Sequence, residues 1–261
     1  MKKVLFFALL LLVGCHSHFI LIYRFGSEDQ KSYDNLELGI PGPSDQIVER
    51  EGYALGYSRK YKQPLWVSYR LTRDEVLTNV INRTNNFCPD PCIEGGSALT
   101  EDYWNSGYDR GHLAPAADMH WSTNTMLESF YMSNMSPQTP ELNRRTWMYL
   151  ESFVRDSAVK EGSIFIVTGP IITNEVLATI GKNNVTVPDA FYKVLYDETP
   201  PEKMLAFVVP NNKPDPNFWL YVTNVVYAEE LTGLNFFSGV DTNKQEMLKC
   251  HINTNDWVRF P

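Results

Sequence analysis

The residues with the clearest potential for chemistry lie at positions 108–115, which read YDRGHLAP. This stretch places a proton acceptor, His112, beside a cation suited to phosphate, Arg110, with Gly111 between them. Further along the chain, Asn143 offers an amide oxygen that could bind a hard metal ion. A histidine base, an oxygen ligand and a nearby arginine together suit the hydrolysis of a phosphodiester.

A predicted helix carries the other polar residues of this set. Thr139 is a typical N-cap and Pro140 a typical first helical residue, so we expect the helix to begin there. Glu151 follows Asn143 by eight positions, about 80° around an α-helix, and therefore lies on a neighbouring face. There it is better placed to reach a metal ion through water than to bind it directly. Arg155, one turn further on, can also pair with Glu151.

Each of these residues also has an ordinary structural explanation. A single histidine is more often structural than catalytic, and an asparagine in a first helical turn is often a capping or surface residue. A glutamate and an arginine one turn apart can form a simple ion pair on a helix surface. Taken alone, the spacing leaves both interpretations open.

The surrounding segments predict one α+β domain with a central, mainly antiparallel sheet. Aromatic and β-branched residues alternate at 53–58 and 65–72 and predict a hairpin. Further strands are predicted at 164–168, 191–196, 204–209 and 218–222. The helix that begins at Thr139 is expected to end at Gly162, and a short helix at 225–231 is expected to end at Gly233.

Three stretches of the sequence resemble the DNA/RNA non-specific endonucleases, the family of secreted sugar-non-specific bacterial nucleases and mitochondrial endonuclease G. They are DRGHLAPAAD at 109–118, FYMSNMSPQTPELN at 130–143, and the WMYLE that ends at Glu151. DRGH together with SNMSPQ and LN at these distances is highly specific for the family. Weaker similarity extends the resemblance over most of residues 50–237.

The resemblance implies a ββα-metal nuclease finger and a metal-dependent reaction. His112 would be the general base, and Asn143 would bind Mg²⁺ directly, with Mn²⁺ as a substitute. Glu151 would contact the ion through water. The substrates would be DNA and RNA, cut with little sequence preference.

The resemblance also implies supporting roles near the reacting phosphate. Arg155 would assist at the phosphate, Asn134 would support the site, and Arg110 with Asp109 would shape it. Arg83 is the candidate for a further arginine of the family pattern. One departure stands at residues 118–120, which read DMH where endonuclease G-like members commonly have Asn-His-Arg. It bears on substrate preference and not on the reaction.

The charge of the chain limits the kind of nucleic-acid binding that is expected. The formal net charge is −8, so the chain has no overall basic footprint. This argues against a high-affinity DNA-binding protein, but a nuclease needs only a local positive cleft and a bound cation. Two alternatives therefore stay open, a phosphodiesterase for a smaller substrate and a catalytically silent, ligand-binding surface lipoprotein. A homodimer is possible, and the sequence indicates no particular inhibitor protein.

The N-terminus resembles a bacterial export signal. Lys2 and Lys3 precede an apolar run at 4–13, and the next residues complete LVGC, which resembles a lipobox with Cys15 as the acylated residue. We therefore expect a signal peptide at 1–14, a tether at 15–50 and an endonuclease domain at 51–261. The expected location is the periplasmic or outer surface of a bacterial membrane. A secreted protein and an uncleaved anchor at 4–23 are the alternatives.

Export to an oxidising compartment would allow disulfides. Cys88 and Cys92 could close a small loop, and a long-range pair with Cys250 is equally possible.

Overall fold

The computed structural model describes residues 22–24, 33–173 and 178–257. Its strands are β1 (Ile22–Arg24), β2 (Gln46–Glu49), β3 (Ala54–Ser58), β4 (Gln63–Thr72), β5 (Asp109–His112), β6 (Met135–Gln138), β7 (Ser163–Ile171), β8 (Thr179–Ile180), β9 (Val185–Thr186), β10 (Ala190–Asp197), β11 (Lys203–Pro210) and β12 (Val222–Thr223). Its α-helices are α1 (Arg73–Leu77), α2 (Thr123–Ser129), α3 (Met148–Glu161), α4 (Val225–Thr232) and α5 (Thr242–Cys250).

Eight of these strands form the central sheet, in the order β1-β2-β3-β4-β7-β10-β11-β12. The β1–β2 pair is parallel, and the other pairs of this sheet are antiparallel. The predicted α+β class and mainly antiparallel sheet are therefore confirmed. Strands β5 and β6 form a separate two-stranded sheet, as do β8 and β9.

The central sheet is covered on both faces because its strands present apolar side chains to each side. On one face α3 contributes Leu150, Phe153 and Val154 to a core that also contains Tyr69 and Ile166. The opposite face packs against α4 and α5 through a second core. Helix α3 continues the helix that was predicted to begin at Thr139. The first core therefore fixes the position and angle of that helix on the sheet.

Most of the predicted elements match the structure. The hairpin is β3–β4, three of the four later strands are β7, β10 and β11, and α4 ends at Gly233 in the left-handed conformation. The strand predicted at 218–222 is wrong, because Phe218–Tyr221 forms a 3₁₀ helix. Its Phe218 ring packs 5.4 Å from Phe153, centroid to centroid, so packing on α3 decides the backbone there. Helix α5 was not predicted.

The N-terminal segment joins the sheet earlier than the predicted domain boundary. Strand β2 lies inside residues 15–50, which were expected to be a tether. Asn35 donates from Nδ2 to the carbonyl of Arg50 at 2.8 Å, and its own carbonyl accepts from the Ser68 hydroxyl at 2.7 Å. The part of this segment from residue 33 onward is thus packed on the domain.

Two further sequence expectations can be compared with the structure. Cys88, Cys92 and Cys250 are free cysteines, so neither of the possible disulfides is formed. Across residues 22–24, 33–173 and 178–257, the helices are too short or too polar to cross a membrane. The predicted signal peptide at 1–14 and the lipidation residue Cys15 lie outside the described residues.

A buried carboxylate ties the sheet to the loops that approach the site. Asp90 accepts two hydrogen bonds from Arg50 Nη2, both at 2.7 Å, and one from the backbone N–H of Cys92 at 2.9 Å. The Ser133 hydroxyl also donates to Asp90. Since Asp90 is 3% and Arg50 6% exposed, this pair is shielded from water. It joins the chain after β2 to the loop at 88–97 and to the turn at Met132–Asn134.

Removal of this carboxylate should destabilise the fold strongly. Asp90→Ala leaves the Arg50 guanidinium buried without its main partner, which typically costs about 3–5 kcal/mol. The free energy of unfolding is measured by urea titration followed by circular dichroism. The matched control is Glu94→Gln, which removes an exposed ion pair with Arg59 and should cost at most about 1 kcal/mol. Equal losses in the two variants would contradict this role of Asp90.

Candidate active site

The DRGH stretch forms the first strand of a ββα unit. β5 pairs antiparallel with β6, with His112 opposite Met135 and Asp109 opposite Gln138. The helical segment follows directly, and the Thr139 hydroxyl accepts a hydrogen bond from the N–H of Leu142 at 3.4 Å. The helix start predicted at Thr139 is therefore confirmed, and Gly162 ends α3 as expected.

Gly111 is required by the close approach of β5 and β6. A Cβ atom at this position would lie 2.3 Å from Cδ of Gln138, a distance that no side chain can accept without displacement. The Gln138 side chain is itself fully buried. Glycine therefore allows the strand to present Arg110 and His112 on a tightly packed two-stranded sheet.

The helix after β6 begins with a wide turn. Residues Leu142–Trp147 form a π-helical segment, which continues into α3. A turn closed by i→i+5 hydrogen bonds takes up about one more residue than an α-turn. The angle between Asn143 and Glu151 is then about 20° and not the predicted 80°. The prediction of neighbouring faces is wrong for this reason, and the two residues share one face of the helix.

His112 is enclosed by aromatic rings and keeps one free ring nitrogen. It is 7% exposed, and its ring lies edge-on to Phe130 and Phe87, with centroid distances of 4.9 and 5.6 Å. The imidazole bonds to the backbone of Arg110, and Nε2 is the ring nitrogen without a partner among the described residues. The backbone contact therefore involves Nδ1, which fixes the tautomer and leaves the lone pair on Nε2.

Two arginines stand beside this histidine on the same aromatic pair. The Arg110 guanidinium lies 4.0 Å from the Phe87 ring centroid, and that of Arg83 lies 5.1 Å from the Phe130 centroid. Burial, followed by the charges of Arg83 and Arg110, lowers the pKa of His112 from 6.5 to about 3. The ring is therefore neutral across the ordinary pH range, with the Nε2 lone pair unprotonated.

Asn143 is oriented by a carboxylate on the neighbouring strand. Its Nδ2 donates to Asp109 Oδ2 at 2.9 Å, which leaves Oδ1 without a donor in the described part of the chain. Arg144 binds the same carboxylate in a bidentate manner, at 2.8 and 2.7 Å. Burial works to raise the pKa of Asp109, but the hydrogen bonds from Arg144 and Asn143 outweigh it and hold the pKa below its usual value.

A second cluster of charges lies where α3 packs on the sheet. Arg155 Nη1 is 3.0 Å from Asp118 Oδ1, and the Tyr69 hydroxyl donates to Asp118 Oδ2 at 2.9 Å. Burial raises the pKa of Glu151, while the charge of Lys193 opposes this shift. Burial correspondingly lowers the pKa of Lys193, whose Nζ lies 4.9 Å from the Trp147 ring centroid.

Asn134 holds the backbone beneath the site. Its Oδ1 accepts from the N–H of Ala114, and its Nδ2 donates to the carbonyls of Ala114 and Ser129, all at 2.9 Å. The side chain is fully buried. These bonds join the segment that follows β5 to the end of α2.

The structure brings the predicted residues into two linked groups. Arg83 and Arg110 flank His112, whereas Arg155 and Glu151 belong to the cluster around Asp118. The charge of Arg83 acts on both His112 and Glu151, so it lies between the groups. Sequence reasoning missed Lys193 and Phe130. A lysine inside the apolar run AFYKVLY was the available signal for the first of these.

The oxygen donors at the site suit a hard divalent cation. Oδ1 of Asn143 accepts no hydrogen bond from the residues that the structure describes, and the Glu151 carboxylate shares its helix face. In residues 33–173 and 178–257 no group of three His, Cys, Asp or Glu side chains could hold a metal. Mg²⁺ keeps several of its waters and needs only one or two protein oxygens, so the donor set fits it, whereas structural zinc requires four nitrogen or sulfur ligands.

A neutral histidine, flanking arginines and an amide oxygen on a ββα unit are groups that suit phosphodiester hydrolysis. The chain belongs to the DNA/RNA non-specific endonuclease family, whose model matches residues 31–243. The predicted resemblance and the nuclease function are thereby confirmed at the level of the family.

Individual relatives agree with this assignment. The chain is 36% identical to a nuclease of Syncephalastrum racemosum, over 82% of this chain and 74% of that protein. It is 32% identical to the mitochondrial endonuclease G of Homo sapiens, over 77% of this chain and 72% of that protein. A crystal structure of the EndoG/EndoGI complex, which describes EndoG inhibition, matches with a TM-score of 0.74 and 30% identity. It covers 80% of this chain and 91% of that chain.

The predicted bacterial localisation is wrong. Relatives from Schizosaccharomyces pombe, Saccharomyces cerevisiae, Mus musculus and Homo sapiens are mitochondrial nucleases, which argues against a bacterial membrane lipoprotein and its lipid anchor on Cys15. A basic and apolar N-terminus is common to several kinds of targeting segment, and a four-residue pattern such as the lipobox is short enough to match by chance. The pattern therefore could not distinguish the compartment.

The low pKa of His112 can be measured directly. Its ring resonances, followed by NMR, should not titrate between about pH 5 and pH 8, where an ordinary histidine would. Arg83→Gln and Arg110→Gln should each raise the pKa, because each removes a positive charge that disfavours imidazolium. Arg144→Gln, which changes an exposed arginine bound to Asp109, serves as the control and should leave it unchanged. If His112 of the wild type titrates near pH 6.5, its pKa is not lowered and this prediction is refuted.

Proposed function

We propose that this protein is a Mg²⁺-dependent endonuclease that hydrolyses DNA and RNA with His112 as its general base. The observation that carries the proposal is the free Nε2 of a buried, neutral His112 beside two arginines. A buried nitrogen without a partner is costly in a merely structural histidine, whereas a general base needs a lone pair free to receive a proton.

The proposed reaction assigns each proton and bond. His112 Nε2 accepts a proton from the attacking water, and the water oxygen forms the new bond to phosphorus. The bond from phosphorus to O3′ breaks, so the products carry a 5′-phosphate and, after protonation, a 3′-hydroxyl. The contact of Nδ1 with the Arg110 backbone keeps the ring in the required tautomer throughout.

Positive charge at the phosphate comes from the arginines and from the metal ion. Arg83 and Arg110 would bind the phosphate oxygens, and Arg155, held by Asp118, would assist them. Asn143 Oδ1 would hold Mg²⁺, with Glu151 acting through water. When bound, the ion would neutralise charge on the phosphate and on the departing oxygen.

Loss of the base should abolish turnover without abolishing binding. His112→Ala should lower kcat by roughly 10²–10⁴-fold, with Mg²⁺ and DNA binding retained. Plasmid DNA and RNA are incubated with the purified protein, with Mg²⁺ or with EDTA. His251→Ala changes another histidine, exposed and beyond α5, and should cleave like the wild type. If wild-type protein cuts neither polymer with Mg²⁺, the nuclease proposal fails and a smaller substrate is favoured.

The two oxygen donors should differ in their effect on the metal. Asn143→Ala should raise the Mg²⁺ concentration for half-maximal rate more than Glu151→Ala, because a direct ligand contributes more than one acting through water. The rate is measured against Mg²⁺ concentration for each variant. Glu246→Ala, an exposed glutamate on α5, is the control and should leave this concentration unchanged. Equal wild-type rates in Mg²⁺ and in EDTA would contradict the metal role.

A further inference from the structure

A cavity of about 370 Å³ adjoins the site on the side of Arg83 and Arg155, and both arginines line it. We propose that this cavity binds one unstacked nucleoside of the substrate, next to the phosphate that is cleaved. The inference rests on the proposed function and adds a preference to it, that of single-stranded over double-stranded nucleic acid.

The inner wall of the cavity belongs to the same apolar cluster that encloses the histidine. Ala116 and Met126 line the cavity, and they pack with Phe130 in one buried cluster. Phe130 in turn lies against the His112 ring, 4.9 Å between centroids. The cavity is therefore fixed relative to the base, and a ligand in it would lie close to the reacting phosphate.

The mouth of the cavity offers groups suited to the edge of a base. Asn79 and Asn82 line it, and both side chains are exposed. Neither amide is hydrogen-bonded to the residues that the structure describes. A carboxamide both donates and accepts, so it can satisfy the polar edge of any of the bases. This chemistry favours a nucleoside over a purely apolar ligand and accounts for weak sequence preference.

The two sides of the cavity are joined by backbone hydrogen bonds. The N–H groups of Val80 and Ile81 donate to the carbonyl of His120, at 2.9 and 3.3 Å. These bonds link the loop after α1 to the segment after DRGH, so the cavity is formed before a ligand enters. Position 120 is also where this sequence departs from the endonuclease G-like pattern, and histidine there is shorter than arginine and leaves more space.

A concave site of this kind distinguishes single strands from duplexes. Bases in a duplex are paired and stacked, and one must be flipped out before it can enter a pocket. Single strands present unstacked bases without that cost. Arg83 and Arg155 line the cavity together with Asp156, so a phosphate beside an inserted nucleoside would meet a net positive charge.

The decisive variant fills the cavity and leaves every residue of the proposed reaction unsubstituted. Ala117 is exposed and lines the cavity, so Ala117→Trp should occupy it. Ala178→Trp, at an exposed alanine outside the cavity, is the matched control. Binding of a fluorescent single-stranded oligonucleotide is measured in EDTA, and cleavage of that oligonucleotide, of its duplex and of bis(4-nitrophenyl) phosphate is measured in Mg²⁺.

We expect the Ala117→Trp variant to bind the single strand about tenfold more weakly and to raise its KM similarly, as loss of one base contact would. Hydrolysis of bis(4-nitrophenyl) phosphate, which has no nucleoside, should be unchanged. Asn79→Asp, a surface change that adds a negative charge, should also weaken single-strand binding. It provides a second test of the cavity in case the tryptophan variant misfolds.

The outcomes separate the inference from the proposed function. If the wild type cleaves nucleic acid and Ala117→Trp binds and cleaves the single strand as Ala178→Trp does, the cavity is not a nucleoside site, although the nuclease proposal stands. If wild-type protein cleaves nothing but Ala117→Trp still weakens oligonucleotide binding, the inference stands and the proposed reaction fails. Equal wild-type kcat/KM for single strand and duplex would overturn the predicted preference.

Discussion

The geometry of the site depends on one carboxylate, that of Asp109. It lies on the same strand as His112 and accepts hydrogen bonds from Asn143 and Arg144 at the start of the helix. His112 and Asn143 are thereby held at a fixed separation, although they come from different elements. Arg144 is 67% exposed, so the ion pair adds little stability. Asp109 instead serves to orient Asn143, because it binds the amide nitrogen of that side chain and leaves the amide oxygen available.

The cluster of charged side chains where α3 packs on the sheet has a different role. Asp118 and Glu151 are balanced by Arg155 and Lys193, two negative and two positive groups largely removed from water. Such clusters are often no more stable than apolar residues of similar size. Stability therefore does not explain why the core contains them. Orientation does, because Asp118 joins Arg155 to the Tyr69 hydroxyl and so fixes an arginine that lines the cavity proposed to bind a nucleoside.

Local signals in the sequence predicted much of this fold and named most of the residues that the structure gathers at the candidate site. The helix start at Thr139 and the end of α4 at Gly233 depend on neighbouring residues alone, so they were predicted correctly. The 3₁₀ helix at Phe218–Tyr221 was mistaken for a strand, since its aromatic residues favour strands and only packing against Phe153 decides the backbone. The pKa of His112 could not be given a direction, because burial and the distances to Arg83 and Arg110 exist only in the folded chain. The compartment was predicted wrongly from a segment that carries little compartment-specific information.

The wide turn at Leu142–Trp147 also constrains how this sequence can change over evolutionary time. Ordinary surface helices tolerate a gained or lost residue by shifting an end into a loop. Here the effect of losing one residue depends on where it is lost. Within Leu142–Trp147 the loss would leave α-helix in place of the π-segment, and seven α-helical steps would still bring Glu151 to about 20° from Asn143. One residue lost from α3 ahead of Phe153 would instead rotate the rest of the helix by about 100° and take Phe153 out of the core. Descendants of this chain can therefore shorten the wide turn, whereas the distance along α3 from that turn to Phe153 must stay the same.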